Sequence, residues 1–287
     1  MGAMRVHHLN CGTMHPAGRR LTNGTGGLFA AATLVCHCLL VETDQGLVLI
    51  DTGFGTSDLQ DPVGSLGTRF LRFTRPAFDP RETAVRQVTR LGYQPADVRH
   101  IVLTHLDPDH TGGISDFPWA TVHLHAREHE AAMLRPTSGE RRRYRPNQWA
   151  HGPAWETYDE IGGEDWFGFT AVRRLTGLPP EILLIPLAGH SRGHSGVAVD
   201  TGETWLLHAG DAYFFRGEID FVRPRCPVGL RLFENLVQVD GPARRANQIR
   251  LRELHASHPP RLEVFCAHDP VELARYDQNP TEDLSCP

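Results

Sequence analysis

Four potential metal ligands lie within six residues of this chain, in the run His105-Leu106-Asp107-Pro108-Asp109-His110. Imidazole and carboxylate groups are ligands that zinc, iron and manganese accept in proteins. Gly112 and Gly113 follow directly, and glycine permits the tight backbone turn that would bring four such side chains together. The run therefore predicts a metal site.

Three more potential ligands appear later, each after a predicted strand: His190 after Gly189, Asp211 after Gly210 and His268 after Ala267. Loops at strand ends are where α/β proteins commonly place ligand-binding groups. A single histidine is more often a hydrogen-bonded surface or core residue, but four separate loops that each offer a ligand favour one shared site. We predict a two-metal site formed by His105, Asp107, Asp109, His110, His190, Asp211 and His268.

Composition is that of a globular protein outside the membrane. The chain has 287 residues, of which 40% are apolar and 22% charged, values typical of soluble domains. No apolar run approaches the ~20 residues of a membrane helix, and residues 1–10 lack the apolar stretch of a secretory signal. We expect a cytoplasmic protein that does not bind membranes.

Charge and cysteine usage narrow the function further. The net charge of -5 argues against a general nucleic-acid binder. The short basic cluster at residues 141–145 is predicted to be a solvated helix end or loop. None of the six cysteines forms a CxxC pair, so we expect small buried thiols rather than a disulfide framework. These cysteines are Cys11, Cys36, Cys38, Cys226, Cys266 and Cys286.

The elements that must position the ligands alternate between strands and helices. Periodicity predicts strands over 34–42, 46–50, 100–104, 121–125, 182–187, 196–200, 204–208 and 262–266. Helices are predicted over 80–91, 126–134 and 242–255. Residues 55–78 are predicted to be a long loop, and residues 135–170 a cap insertion. Two runs of strands, each followed by helices, indicate one domain over residues 1–287 with two packed α/β halves.

The ordered ligand set, together with Asp51-Thr52-Gly53 upstream, resembles the metallo-β-lactamase superfamily. The layout is most similar to the quorum-quenching N-acyl homoserine lactonase branch, through Leu91-Gly92-Tyr93 and the ending Phe265-Cys266-Ala267-His268-Asp269. The resemblance covers residues 34–269. It implies an αββα sandwich of two mixed sheets flanked by helices, and a metal-dependent hydrolase.

The resemblance also implies individual roles. The first metal would be held by His105, Asp107 and His190, and the second by Asp109, His110 and His268. Asp211 would bridge the two metals, and Asp51 would steady the ligand loop, as carboxylates outside a ligand set commonly do. His194 is expected to support the site structurally.

Two positions depart from the family pattern. The family usually has histidine where this chain has Asp107, and a harder carboxylate ligand favours iron or manganese over the zinc otherwise expected. Lactonases place a tyrosine three residues after the bridging aspartate, a position that is Phe214 here, with Tyr213 one residue earlier. Tyr213 is a candidate catalytic residue, although packing in the core is an equally good interpretation.

The predicted chemistry is hydrolysis of a small ester-like substrate such as a lactone. A hydroxide bridging two metals about 3.5–4 Å apart would attack the carbonyl carbon, and Asp109 would transfer a proton to the leaving group. Aromatic residues of the cap and of the preceding loop would line an apolar pocket for the substrate or, alternatively, pack the insertion onto the sandwich. These are Trp149, Trp155, Trp166, Phe167, Phe169, Phe54, Phe70, Phe73 and Phe78; His151 of the cap is a further candidate for substrate contact.

Three other functions stay open. Asp107 is compatible with an iron oxidoreductase of the same superfamily, although no flavin domain fits within this length. A nuclease is disfavoured by the acidic charge. A non-catalytic metal-binding protein would keep the ligands without turnover.

The partners expected are a small molecule with an apolar portion and a second copy of the chain in a homodimer.

Overall fold

The computed structural model describes residues 4–161, 163–258 and 260–276, so Cys286 lies outside the described residues. Within them, twelve strands form two six-stranded sheets. The first sheet contains β1 (Val6–Met14), β2 (Leu34–Thr43), β3 (Gly46–Ile50), β4 (Val98–Val102), β5 (Thr121–His125) and β6 (Ala154–Tyr158) in that spatial order. The second contains β12 (Leu262–Phe265), β11 (Trp205–His208), β10 (Ser195–Asp200), β9 (Ile182–Pro186), β8 (Phe169–Arg174) and β7 (Glu164–Trp166).

Both sheets are mixed. In the first, β1, β2 and β3 pair antiparallel, whereas β3 to β6 pair parallel. In the second, β11 and β12 pair parallel and the other neighbours antiparallel. Parallel pairs need crossover connections, and the helices that supply them cover the outer faces of the sheets.

Eleven α-helices lie in the described part of the chain. They are α1 (Arg19–Thr22), α2 (Thr56–Gln60), α3 (Pro62–Leu66), α4 (Thr68–Thr74), α5 (Ala84–Arg90), α6 (Pro108–Thr111), α7 (Ala126–Leu134), α8 (Ser138–Arg143), α9 (Val228–Val237), α10 (Gly241–Ser257) and α11 (Pro270–Leu273). Short 3₁₀ turns occupy Pro80–Glu82, Pro95–Asp97, Gly112–Asp116, Pro146–Trp149, Arg216–Glu218 and Ala274–Tyr276.

Strand β2 shows why the layers form. Its residues are apolar almost throughout, and successive side chains point to opposite faces. Leu39 and Val41 pack against β9, β10 and β12 in a core between the sheets, while Cys38 and Leu40 pack under α5 and α7. On the far side, Leu251 and Leu254 of α10 cover the second sheet. The layers are helix, sheet, sheet and helix, which confirms the predicted αββα sandwich.

Several local predictions were wrong. Residues 55–78 contain the short helices α2, α3 and α4 rather than a long loop, and the helix predicted over 80–91 is divided into a 3₁₀ turn and α5. The sequence pattern also missed β1, whose histidines interrupt its apolar residues. Side-chain bonds stabilise it, since His7 contacts Glu42 and His8 contacts His37 on the neighbouring β2.

The segment predicted as a cap is built differently. Residues 154–158 pair with β5 at the edge of the first sheet, and residues 164–174 extend the second sheet beside β9. In the described part of this segment, α8 and the turn at Pro146–Trp149 are the helical elements, and they lie outside the sheets. The segment therefore carries the chain from one sheet to the other, and α8 lies near the predicted ligands. Among the described residues, no helix combines the length and apolar character needed to cross a membrane.

Candidate metal centre

The predicted ligands converge because each follows the end of a strand. The loop after β4 carries His105 and Asp107 and begins α6, where Pro108 occupies the first turn. The loops after β9, β11 and β12 carry the ligands of the second sheet, His190, Asp211 and His268. All seven predicted ligand side chains are buried or nearly so, and Asp107 and Asp109 keep the largest exposed fractions, 15% and 11%. Solvent therefore reaches the centre on the side of these two aspartates.

The first ligand group contains His105, Asp107, His190 and Asp211, whose ligand atoms all lie within 4.8 Å of one another. The Asp107 Oδ2 atom lies 2.9 Å from His190 Nε2 and 3.5 Å from His105 Nε2. This set matches the residues predicted for the first metal.

The second ligand group is formed around His110 and His268. Their Nε2 atoms are 3.4 Å apart, and Asp109 Oδ2 lies 3.6 Å from His268 Nε2. Asp211 is again a member, with His110 and His268. The three residues predicted for the second metal are therefore brought together.

Asp211 divides its two oxygens between the groups. Oδ2 lies 3.6 Å from His105 Nε2 and 3.4 Å from His190 Nε2. Oδ1 lies 3.3 Å from His110 Nε2 and 3.1 Å from His268 Nε2. One carboxylate can thus serve two cations at once, the arrangement of a bridging ligand.

The candidate ligand atoms are not fully satisfied by hydrogen bonds within the protein. His105 Nε2 and Asp211 Oδ1, which both face other candidate ligand atoms, are buried without a hydrogen-bond partner, which is unfavourable unless a further group satisfies them. His110 and His268 direct their Nδ1 atoms to Asp51 and to the carbonyl of Val35. If both rings donate through Nδ1, two Nε2 lone pairs face each other, an arrangement that a cation between them would stabilise.

The pKa shifts of the candidate ligands also indicate a site that favours a cation. Burial disfavours a charged imidazole, yet Asp211 and Asp51 raise the pKa of His110 well above its ordinary value. His268 shows the same upward pKa shift, again opposed by burial and driven by Asp211. Burial raises the pKa of the Asp109 carboxyl, and Asp211 and Asp107 add to that rise. Such a site attracts positive charge.

Asp51 holds the ligand loop from behind. Its carboxylate accepts bonds from the backbone amide and hydroxyl of Thr104, each at 2.8 Å, and contacts His110 Nδ1 at 2.8 Å. Asp51 has a positive φ of 54°, a strained conformation for a residue other than glycine. Thr52 donates its hydroxyl to the carbonyl of His110. The Asp51-Thr52-Gly53 motif therefore orients His110 rather than binding a cation itself.

Comparison with known proteins agrees with this geometry. The model of the Metallo-beta-lactamase superfamily matches residues 32–259. The chain belongs to this superfamily. A protein of Mycobacterium tuberculosis named a probable metallo-hydrolase is 48% identical over 274 residues, which cover 95% of this chain and 83% of that protein. An N-acyl homoserine lactonase of Bacillus cereus is 28% identical over 170 residues, or 59% of this chain and 60% of that protein.

Solved structures share the metallo-beta-lactamase fold. An N-acyl homoserine lactone hydrolase with the product N-hexanoyl-L-homoserine at its catalytic metal centre aligns with a TM-score of 0.69 and 21% identity, over 96% of this chain and 97% of that one. A dizinc quorum-quenching lactonase aligns with a TM-score of 0.61 and 17% identity, over 94% of this chain and 89% of that one.

Glu128 ties two ligand loops of this superfamily member together. One oxygen accepts bonds from the amide of Leu106 and the hydroxyl of Tyr144, each at 3.1 Å. The other accepts from the Ser191 hydroxyl at 2.6 Å and the Gly193 amide at 3.0 Å. A buried glutamate on α7 thus fixes the His105 and His190 loops to each other. Sequence reasoning missed it because its partners are distant in the chain.

Asp107, the position that departs from the superfamily pattern, faces Arg143. The guanidinium Nε lies 3.5 Å from Asp107 Oδ1. Burial alone would raise the pKa of Asp107, but Arg143 and His105 lower it well below its usual range. The prediction that residues 141–145 are solvated was wrong for this residue, since the Arg143 side chain is only 10% exposed.

Tyr213 lies away from the ligands. Its hydroxyl contacts both carboxylate oxygens of Glu272 at 3.2 Å, inside the core of the second sheet. The neighbouring Phe214 occupies the ligand side, stacked on His268 at 5.1 Å between ring centroids and 5.8 Å from His190. This location corrects the choice of Tyr213 as catalytic residue and gives the centre an apolar wall.

Cys36, predicted to be a small buried thiol, is buried as expected and also lies beside the second ligand group. The Cys36 thiol lies close to Asp109 and His268, and the potential ligand atoms of the three residues lie within 4.8 Å of one another. Burial, with Asp109 next in importance, raises the pKa of the thiol well above its ordinary value. The sequence carries no signal for this proximity, because the contact of the neighbouring Val35 carbonyl with His268 joins residues far apart in the chain.

The aromatic residues proposed for a pocket are mostly core residues. Trp149 packs with the first sheet, Trp166 and Phe169 with the second, and Phe54 lies under Phe70 and Phe78. Trp155 and Phe167 pack partly buried against the same cores, Phe73 is exposed, and His151 lies exposed at the surface. Packing rather than pocket lining explains most of this set.

Proposed function

We propose that the chain is a metal-dependent hydrolase that cleaves a small ester-like substrate, a lactone or related acyl ester. The observation that carries the proposal is the division of the two Asp211 oxygens between two ligand groups. Two divalent ions, zinc by default, would supply an activated water and polarise the substrate carbonyl. The related metallo-hydrolase and lactonases support the hydrolytic class.

The chain's own residues would then bind and orient the substrate. Asp109 lies on the solvent side of the centre, where its carboxylate could accept a proton and return it to the leaving group. Phe214 presents its ring beside His190 and His268, and Phe233 of α9 lies edge-on to it at 5.8 Å. Leu232 and Leu236 continue an exposed apolar surface along α9. An acyl chain is the substrate portion that such a wall accommodates.

The test is hydrolysis by protein reconstituted separately with zinc, manganese and ferrous iron. The substrates are lactones of increasing acyl length, linear esters, thioesters and phosphodiesters. We expect lactone or ester turnover, with KM falling as the acyl chain lengthens. Asp211→Asn, purified in parallel, controls for contaminating hydrolases. Metal-loaded protein inactive on every substrate would refute the hydrolytic proposal and favour a non-catalytic metal-binding role.

Asp107 supports a second candidate, an iron oxidoreductase, because a carboxylate ligand favours iron. The discriminating measurement is anaerobic iron loading followed by exposure to dioxygen with a reductant. Oxygen consumption faster than by the zinc-loaded protein would favour this candidate. Under the hydrolytic proposal, we expect ester cleavage without oxygen consumption.

A further inference from the structure

Asp107 and Arg143 belong to different parts of the chain and meet at the edge of the first ligand group. We propose that Arg143 is a positioning residue that balances the charge of Asp107 and joins the loops carrying Asp107 and His190. This inference rests on the proposed two-metal centre. It explains how a superfamily member can replace a histidine ligand by a carboxylate.

The contacts of Arg143 define its task. Its Nε lies 3.5 Å from Asp107 Oδ1, and one terminal nitrogen donates to the carbonyl of His190 at 3.0 Å. The other terminal nitrogen donates to the carbonyl of Val237. The planar guanidinium presents several donors in a fixed fork, which lets one side chain reach three acceptors.

These acceptors come from both halves of the sandwich. Asp107 follows β4 of the first sheet, whereas His190 follows β9 of the second. Val237 is the last residue of α9, where helix carbonyls lack partners within the helix and favour a cation. Arg143 itself ends α8, the helix in the connection between the two sheets. The guanidinium thus fixes the separation of two ligands of the first group.

The two oxygens of the Asp107 carboxylate face different partners. Its Oδ2 faces His190 and His105, while Oδ1 faces the guanidinium. A carboxylate in place of an imidazole adds one negative charge to a centre that already contains Asp109 and Asp211. Arg143 returns one positive charge at the edge of the centre. Because the pair is nearly buried, removal of either partner leaves an uncompensated charge.

The position within α8 is specific. Arg141 and Arg142 precede Arg143 on the same helix, and both are exposed. Arg142 therefore offers a matched control that changes the net charge of the helix equally but lies away from the centre. Asp107→His supplies the second arm, since it restores the residue that the superfamily usually has at this position.

The experiment is a double-mutant cycle read by zinc affinity. Arg143→Met, Arg142→Met, Asp107→His and Asp107→His with Arg143→Met are titrated with zinc against a competing chelator, and bound zinc is counted. In the natural background, we expect Arg143→Met to weaken the first site about 10- to 100-fold, the usual range for residues that orient ligands, and Arg142→Met to leave it unchanged. In the Asp107→His background, we expect Arg143→Met to strengthen zinc binding.

The opposite effects of Arg143→Met on zinc affinity in the two backgrounds distinguish charge balance from a purely structural role. A residue that only holds the carbonyls of His190 and Val237 would weaken zinc binding equally in both backgrounds, and that result would overturn the proposal. So would unchanged zinc affinity in Arg143→Met while the unmutated protein binds two ions. An unmutated protein that binds fewer than two ions would overturn the proposed metal centre itself, and this inference with it.

Arg143→Lys keeps the cycle informative if Arg143→Met does not fold. Lysine retains the charge but lacks the fork that reaches both carbonyls. We expect its zinc affinity to fall by a smaller factor than that of Arg143→Gln, with unchanged affinity in both refuting the proposal. Circular dichroism of the metal-free variants separates weakened binding from loss of fold.

Discussion

His194 Nε2 accepts a hydrogen bond from the backbone amide of Asp211 at 2.9 Å, and His194 Nδ1 lies 3.0 Å from the carbonyl of Leu187. The ring must therefore carry its proton on Nδ1 and remain neutral. Burial and the neighbouring His105 lower the pKa of His194 well below its usual value, which favours this neutral form. His194 fixes the backbone of Asp211, the candidate bridging residue, which is compatible with its expected supporting role.

Replacement of His194 by Phe tests this relationship. Two buried backbone groups, the Asp211 amide and the Leu187 carbonyl, lose their partner. We expect a free energy of unfolding lower by about 2 kcal/mol and metal affinity lower by about 10- to 100-fold. Chemical denaturation and chelator competition measure these quantities. His151→Phe, at an exposed position, should change neither, and an unchanged affinity in His194→Phe would contradict the assignment.

Tyr213→Phe should leave hydrolysis almost intact. The phenol contacts Glu272 rather than the ligand side of the centre, so its loss affects packing more than chemistry. We expect kcat/KM on the best substrate to stay within about threefold, with a free energy of unfolding lower by about 1 kcal/mol. Steady-state kinetics decides the matter, and a loss of 100-fold or more in kcat would restore Tyr213 as a catalytic residue.

Glu272 should make stability depend on pH. Burial raises its pKa from 4.5 to about 7. Between these values the folded protein keeps a proton that the unfolded chain has lost, so the free energy of unfolding falls as pH rises from about 4.5 to 7. The stability contributed by this group is complete below that window and lost above it, a change on the order of 3 kcal/mol.

Glu272→Gln mimics the neutral carboxyl and should remove this dependence. Urea unfolding of the metal-free proteins at several pH values between 5 and 8 gives the comparison. We expect the variant to gain stability relative to the unmutated protein as pH rises. Parallel pH profiles for the two proteins would show that Glu272 ionises normally in the folded state.

Gly53 and Gly92 offer a matched pair for backbone strain. Both have positive φ, +62° and +93°, but a Cβ at Gly53 would collide with the carbonyl of Cys11, whereas the space at Gly92 is open. We expect Gly92→Ala to lower the free energy of unfolding by about 1–2 kcal/mol. Gly53→Ala should lose more, because β1 or the Asp51 motif must move. Denaturant unfolding measures both variants. Equal decreases in the free energy of unfolding would show that the structure accommodates the Cβ at residue 53 without extra cost.

Metal removal should lower the melting temperature. A cation that binds only the folded protein stabilises it by about 2.7 kcal/mol at 100 times its Kd. We expect zinc added to the metal-free protein to raise Tm, and Asp211→Ala to abolish most of the rise. Calorimetry with and without chelator tests this. The same Tm increase in Asp211→Ala would place zinc outside the candidate centre.

The candidate ligands could be predicted from sequence because each closely follows a short segment of strand-like composition, as His268 follows β12. Residues that act through long-range contacts could not. Glu128 and Arg143 look like ordinary charged helix residues, and only the fold shows their partners. The strands within residues 154–174 were obscured by exposed edge positions and charged side chains, so no clear alternation marked them.

The passage of the chain between the sheets has a consequence for assembly. Residues up to Tyr158 build the first sheet and contribute His105, Asp107, Asp109 and His110, while residues from Glu164 onward build the second and contribute His190, Asp211 and His268. Neither piece holds a complete ligand group. If the chain were cut between these strands, each fragment would carry only half of the candidate ligands. A metal ion bound at the complete site would then hold the two fragments together. Each candidate ligand group is therefore completed only when both sheets are present.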